Sequence, residues 1–274
     1  MSTGPTSPFA ADLLAGRKAL VTGGGTGLGR AIASGLASAG AHVVIAARRQ
    51  QILEPAAAEI AAATGATVEW DLVDIRAIET VSALAERHGD VDLLVNNAGG
   101  QFPQKARDFS PNGWRSVIDL NLNGTWNMTQ TFGNNMLDGA GGTITQIIAP
   151  VGRGIPGIAH SSAARAGVLE LTRALAFEWG PKVRVNAVAP GAFRTDGWEA
   201  TYDEQVGEDM TAVPLPYPGK PQDPANAVVF LSSSAAAYVT GEVLFVDGGH
   251  GLHGSMSALP PGGYPERDGD PFGT

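Results

Sequence analysis

The chain has 274 residues and sets 18 basic against 27 acidic side chains, a formal charge of −9. Hydrophobic residues make up 43% and charged ones 16%, which excludes wholesale disorder, and no Lys/Arg cluster offers the footprint of a nucleic-acid binder. Cysteine is absent, which excludes a disulfide framework, a thiolate metal site and thiol chemistry.

No apolar run approaches the ~18 residues of a membrane span. Met1–Ala11 does not set an apolar stretch behind a basic one, and the final Pro-Phe-Gly-Thr is not a peroxisomal address. A cytoplasmic protein is expected, with no metal, membrane or nucleic-acid partner. Glycine, at 37 residues, clusters at turns between apolar runs without a fixed period. Many tight strand–helix connections follow.

From Lys18 onward, short β-branched runs alternate with longer Ala-rich stretches. Strands are predicted at Lys18–Thr22, Ala41–Ala46, Thr67–Asp71 and Val91–Asn96, with helices at Gly27–Ala39, Gln50–Thr64 and Arg76–His88 between them. Ser110-Pro111 reads as an N-cap with proline in the first turn, opening a helical segment to about Leu137. A strand at Thr143–Ile148, a helix at Ser161–Gly180 and a strand at Val183–Ala189 follow. After an irregular, proline-rich stretch come a helix near Pro224–Ser232 and a strand at Val243–Val246. Such alternation predicts an α/β protein with a parallel sheet covered on both faces. The expected organisation is an extension over residues 1–13, one domain over 14–249 and a Gly/Pro-rich tail over 250–274.

Thr22-Gly23-Gly24-Gly25-Thr26-Gly27-Leu28-Gly29 lies between the first strand and the first helix. Glycines there permit the tight turn and let a pyrophosphate approach the positive helix end. No Gly-Lys-Ser/Thr follows, so a Walker A loop is excluded. The second strand ends Ala46-Ala47-Arg48-Arg49, with two guanidinium groups and no acid for a ribose. That end suits a 2′-phosphate, so NADP(H) is expected with Arg48 as its main contact. Arg49 is either a second contact or a solvated first-turn residue.

With this glycine turn, Asp71-Leu72-Val73-Asp74, Asn96-Asn97-Ala98-Gly99, Pro190-Gly191 and Val246-Asp247-Gly248-Gly249, the chain resembles the short-chain dehydrogenase/reductase family from about Leu14 to Gly249. The resemblance implies a Rossmann-type, doubly wound, seven-stranded parallel sheet, usually in a homotetramer. It places the cofactor on Gly23, Thr26, Gly27 and Leu28, with Asp71 and Leu72 at the adenine and Asn97, Ala98 and Gly99 at the ribose. Phe193 would touch the carboxamide through its main chain and Thr195 the phosphates, with Pro190 and Gly191 also at the cofactor.

Most members of that family carry Tyr-x-x-x-Lys, an earlier serine and a helix asparagine. Here Asn121 matches the asparagine, but the serine position is Ala149 and the tyrosine and lysine positions are Ser161 and Arg165. Ketone reduction needs an acid beside the carbonyl oxygen, and neither serine nor arginine releases a proton near neutrality. Reduction of an enoyl thioester instead needs donors toward a developing enolate oxygen. Gly99-Gly100-Gln101-Phe102, Gly113-Trp114, Ile147-Ile148-Ala149-Pro150 and His160-Ser161 through Gly167 resemble the peroxisomal trans-2-enoyl-CoA reductase branch, beside the 2,4-dienoyl-CoA reductases. Where that branch has a tyrosine near the arginine motif, this chain has Leu169.

The expected activity is therefore NADPH-dependent reduction of an enoyl thioester, with Asn121, Ser161 and Arg165 as catalytic residues and Arg165 also holding the cofactor ribose. Ser161 is read either as a helix N-cap or as a substrate donor, and Asn121 as that donor's companion or as the filler of a helix irregularity. His160 is read as structural. Lys105, Arg107, Arg153 and Lys220 are either CoA-phosphate contacts or solvated charges. Two rivals stand beside this reading: an alcohol or aldehyde dehydrogenase of the same fold, and an NADP(H)-binding protein without catalysis.

Overall fold

Residues 7–150, 156–191, 193, 214–215 and 219–252 are described in a computed structural model of the chain. The strands are β1 (Lys18–Thr22), β2 (His42–Ala47), β3 (Val68–Leu72), β4 (Leu93–Asn96), β5 (Gly142–Ile147), β6 (Val183–Pro190) and β7 (Val243–Val246). They form one seven-stranded sheet in the order β3-β2-β1-β4-β5-β6-β7, and every neighbouring pair is parallel.

The side-chain alternation along each strand explains the layers. Ala19, Val21, Val43, Ile45, Leu93 and Val95 face one core, which is closed by Ile32 and Leu36 of α1 (Gly27–Ser38), Leu53 and Ile60 of α2 (Gln50–Thr64) and Val228 of α7 (Gln222–Ser232). Leu20, Val44, Leu94, Ile144 and Val185 face the other. There they meet Val81 and Leu84 of α3 (Ile78–His88), Met128 and Phe132 of α5 (Gly124–Asp138) and Leu175 of α6 (Ala159–Trp179). Burial on both faces is why these strands read as continuous apolar runs. Phe9 and Leu13, within the predicted N-terminal extension, pack against the first core. Among the described residues no helix is long and apolar enough to cross a membrane.

The strands and helices stand within two residues of their predicted bounds at most ends, with one difference of substance. The segment opened by Ser110 is not a single helix. Ser110 Oγ accepts from Gly113 N–H at 3.0 Å, as the cap reading requires, and opens α4 (Pro111–Ile118). A π-helical turn, Asp119–Asn123, then separates α4 from α5. At its end a Cβ on Gly124 would lie 2.6 Å from Ile75 Cγ1, so the chain crosses Ile75 there at a spacing only glycine allows. Asn121, the residue that matches the family's asparagine, sits inside the turn.

Strand order reverses between β1 and β4, and crevices at such reversals are where open α/β sheets bind ligands.

Candidate functional site

The crevice is a cleft of about 290 Å³. It brings together most of the predicted cofactor residues: Gly23, Thr26, Gly27, Leu28, Arg48, Asn97, Ala98 and Gly99 all line it. Its glycine turn is held by main chain. Gly23 N–H donates to Ala46 O at 2.7 Å, and Thr22 Oγ1 accepts from the N–H groups of Asn97 and Ala98, each at 3.0 Å. Asn97 Nδ2 donates to Thr22 O at 3.0 Å, so this side chain fixes the turn rather than reaching outward. A Cβ on Gly29 would lie 2.2 Å from Gly23 O, which explains why the first turn of α1 must carry glycine there. Thr26, at the N-cap of α1, makes no side-chain cap bond, leaving the first helical N–H groups to face the cleft as an anion site.

Arg48 and Arg49 line the far end, exposed, and no ion pair to either is present among the described residues. Asp71 and Leu72 stand just outside the lining, at its edge, and Val73, Asp74 and Ile75 line the cleft. β3 ends at Leu72, opposite Ala47 of β2, so the residues that enter the cleft are those just past the strand. Asp71 is committed elsewhere, accepting from Arg87 Nε at 2.7 Å and lying 3.1 Å from His88 Nε2. Burial opposes ionisation of Asp71, but the bonds from Arg87 and its own neighbour Leu72 hold its carboxyl below the usual range. Asp74, in the cleft, accepts from Arg76 Nε at 2.9 Å and is lowered to about 2, chiefly by that guanidinium.

At the reaction end Gly99 joins the two halves. A Cβ there would stand 2.1 Å from Arg165 Nη2 and 2.9 Å from Asn121 Oδ1, so both side chains close directly over this glycine. Arg165 Nη1 donates to Ile147 O at 2.8 Å, and no carboxylate pairs with the guanidinium among the described residues. Burial lowers its pKa to about 10, which leaves it cationic at neutral pH.

Of the two readings of Asn121, the structure places it in a helix irregularity. Its Nδ2 donates to Gly100 O and its Oδ1 accepts from Gly100 N–H, both at 2.9 Å. An amide paired at both ends is a clamp on the loop after β4, not a free substrate donor. Its remaining reach is to Ser161 Oγ, at 3.5 Å. Ser161 is buried, and Ile158 rather than Ser161 takes the N-cap position of α6. With Asn121 donating to it, the Ser161 hydroxyl keeps its own proton to give.

His160 is fully buried, with ring centroids 4.4 Å from Phe109 and 4.7 Å from Phe102. The sequence reading left this aromatic cup out, although Phe102 lies in a matched motif. Leu169, like Leu122, packs on the small core around Ile148 and Val168. Pro190 pairs with Val246 at the end of β6, and Gly191 N–H donates to Val246 O at 2.9 Å. A Cβ on Gly219 would meet the Phe193 ring at 2.4 Å, so the two pack tightly; these residues stand beyond the cleft lining. Lys105 is exposed, Arg107 lies 3.9 Å from Asp108, and Lys220 N–H donates to Asp223. Thr195 and Arg153 lie outside the described residues.

Comparisons with known proteins agree with this fold. A family described as Enoyl-(Acyl carrier protein) reductase matches residues 23–251. The chain is 37% identical over 254 residues to a peroxisomal 2,4-dienoyl-CoA reductase, (3E)-enoyl-CoA-producing, of Danio rerio, covering 89% of this chain and 84% of that one. It is 37% identical over 244 residues to a 3-oxoacyl-acyl-carrier-protein reductase of Chlamydia muridarum, covering 87% and 98%. A solved structure from Beutenbergia cavernae, described as an NAD(P)-dependent gluconate 5-dehydrogenase with NADP bound at low occupancy, superposes with a TM-score of 0.82. It is 40% identical and covers 88% of this chain and 98% of its own.

Proposed function

Since the chain belongs to the short-chain dehydrogenase/reductase family of oxidoreductases, we propose that it reduces the Cα=Cβ bond of an enoyl thioester, of the trans-2-enoyl-CoA type, with NADPH as reductant. The observation that carries this reading is the make-up of the reaction end. Ser161 and Arg165 occupy the positions of tyrosine and lysine, and Arg165 remains cationic rather than serving as an acid. A ketone reduced there would lack its oxygen acid, which typically costs about 10²–10⁴-fold.

The cleft fits a nicotinamide dinucleotide because it lies at the reversal of strand order and is lined by the glycine turn and the uncapped first turn of α1, an anion site for the pyrophosphate. NADP(H) is favoured because Arg48 and Arg49 stand exposed at the end of β2 with no ion pair among the described residues, while the carboxylate lining the cleft, Asp74, is held by Arg76. When bound, the nicotinamide supplies a hydride for Cβ. The protein does the rest. Ser161 donates its hydroxyl hydrogen toward the thioester oxygen as enolate charge collects there. Arg165 keeps a positive charge beside Gly99, and Asn121 holds the Gly100 loop that walls the site. The Cα proton comes from water, since no described side chain at this end is both acidic and unpaired.

The peroxisomal relative's name supports a CoA thioester and a carbon–carbon double bond; the Chlamydia relative's name points to a 3-oxoacyl substrate. NADPH consumption with crotonyl-CoA and longer enoyl-CoAs, set against acetoacetyl-CoA, ketones and secondary alcohols, decides between them. Turnover of acetoacetyl-CoA without enoyl turnover overturns the reading. NADPH binding with no turnover of any of these leaves a non-catalytic binder. A homotetramer is part of the proposal: Phe177 and Tyr238 are almost wholly exposed in the single chain, and light scattering on the purified protein reads the state.

A further inference from the structure

The buried imidazole beside the reaction end has one ring nitrogen bonded to main chain and the other without a partner among the described residues. Ser161 main-chain N–H donates to His160 Nδ1 at 2.7 Å. A ring nitrogen that accepts an N–H carries no proton itself, so the proton of the neutral ring sits on Nε2. Burial favours that neutral form, opposed in part by the Ile158 carbonyl. Nε2 is buried and has no hydrogen-bond partner among the described residues. Phe102 and Phe109 pack about the ring edge-on and tilted, giving an apolar surround that does not satisfy it.

The position of this donor is informative. His160 precedes Ser161, whose hydroxyl lies 3.5 Å from Asn121, and Asn121 is bonded to Gly100 next to the cleft glycine Gly99. Asn121 has no amide group left for a substrate, so the reaction end has need of a second donor.

We propose that His160 is that donor, its Nε2–H pairing with the carbonyl oxygen of a bound acyl substrate alongside the Ser161 hydroxyl. A neutral imidazole polarises an oxygen without surrendering its proton, and its hydrogen bond strengthens as negative charge gathers there. Phe102 and Phe109 would exclude water from the bond and receive the apolar part of the substrate. The inference rests on the enoyl-thioester reading only in requiring an acyl carbonyl, which a 3-oxoacyl thioester also has.

Ring ¹⁵N–¹H spectroscopy of the wild-type protein, with the His160 signals assigned through His160→Phe, tests it. The free protein should show the Nε2–H form at neutral pH. An Nδ1–H ring bonded to the Ile158 carbonyl overturns the proposal. With NADP⁺ and either crotonyl-CoA or acetoacetyl-CoA, the Nε2–H signal should move downfield. Failure of both acyl-CoAs to move it overturns the proposal. Movement with acetoacetyl-CoA, where crotonyl-CoA neither binds nor turns over, upholds the donor and removes the enoyl reading. In activity, His160→Phe should lower kcat about tenfold to hundredfold, the loss of one buried donor, with a smaller change in KM. His160→Gln, which restores an N–H, should recover part of it. A folded His160→Phe protein with wild-type kcat and KM overturns the proposal.

Discussion

The two ends of the cleft are built by different means. At the nucleotide end, main chain and short fixed bonds set the shape: Gly23 against Ala46, and Thr22 against the amides of Asn97 and Ala98. At the reaction end, side chains set it: Asn121 on Gly100, Arg165 over Gly99, Ser161 and His160 in the first turn of α6. The difference teaches where chemistry can vary. A serine and an arginine can stand in place of tyrosine and lysine without moving a glycine turn that depends on neither. The binding frame and the reaction are thus separable, and each has its own way to fail.

The largest effect is expected at the reaction end. Ser161→Ala removes the one hydroxyl offered to the substrate and should lower kcat about 10²–10³-fold, while leaving NADPH affinity intact by fluorescence titration. Wild-type turnover in a folded, NADPH-binding variant would return Ser161 to a packing role. Next comes the frame. Gly29→Ala would press a methyl against Gly23 O at 2.2 Å and Asn97 Nδ2 at 2.5 Å, neither of which has room to move. Overpacking of this kind costs about 1–3 kcal/mol, read as a lower urea midpoint, and NADPH binding should weaken with it.

A smaller and more selective effect is expected at Arg48. Its loss to alanine should lower NADPH affinity about tenfold to hundredfold, the range of a charge-assisted hydrogen bond, with NADH affinity almost unchanged. Equal loss for both cofactors would make Arg48 part of the frame instead. The smallest effect is a pH dependence of stability. Asp74 has its carboxyl lowered from 3.8 to about 2 by Arg76. As pH falls below 3.8 the unfolded chain takes the proton first, so the stabilisation present above that pH fades as pH approaches 2. Urea midpoints of Asp74→Asn should be flatter than wild type across this window; identical slopes would show that the pair contributes nothing measurable. Asp71→Asn should alter stability slightly and leave NADPH binding unmoved, because its partners are Arg87 and His88.

Most of the frame was legible because each of its parts has a local signature. Apolar runs of strand length, the glycine turn and Ser110-Pro111 each fix a conformation within a few residues. The lining at the adenine end was not legible because Asp71-Leu72 and Asp74-Ile75 are alike in sequence. Only the strand register, which ends β3 opposite Ala47, decides which pair enters the cleft. The π-helical turn was half-legible: a helix irregularity at Asn121 was one of its two readings, but the close approach of Gly124 to Ile75, far apart in sequence, has no local signature. Asn121 was read as a donor or as the filler of a helix irregularity; it lies in such an irregularity, but nothing local indicates that the Gly100 main chain will take both ends of its amide. Ser161 could not be told from a helix cap without knowing that α6 begins two residues earlier.

The paired bonds between Asn121 and Gly100 have a consequence in time. Gly100 N–H and C=O are both held by one side chain on a helix, so the strand-to-helix loop that leads to Phe102 detaches only when both bonds break together. Amide exchange at Gly100 therefore counts the excursions of that loop, because the hydrogen leaves only in the detached state. If substrate must pass Phe102 to reach Ser161, the opening frequency read at this single amide sets an upper bound on turnover, and a variant that shortens the Asn121 side chain raises that frequency while lowering the fraction of time the site is closed.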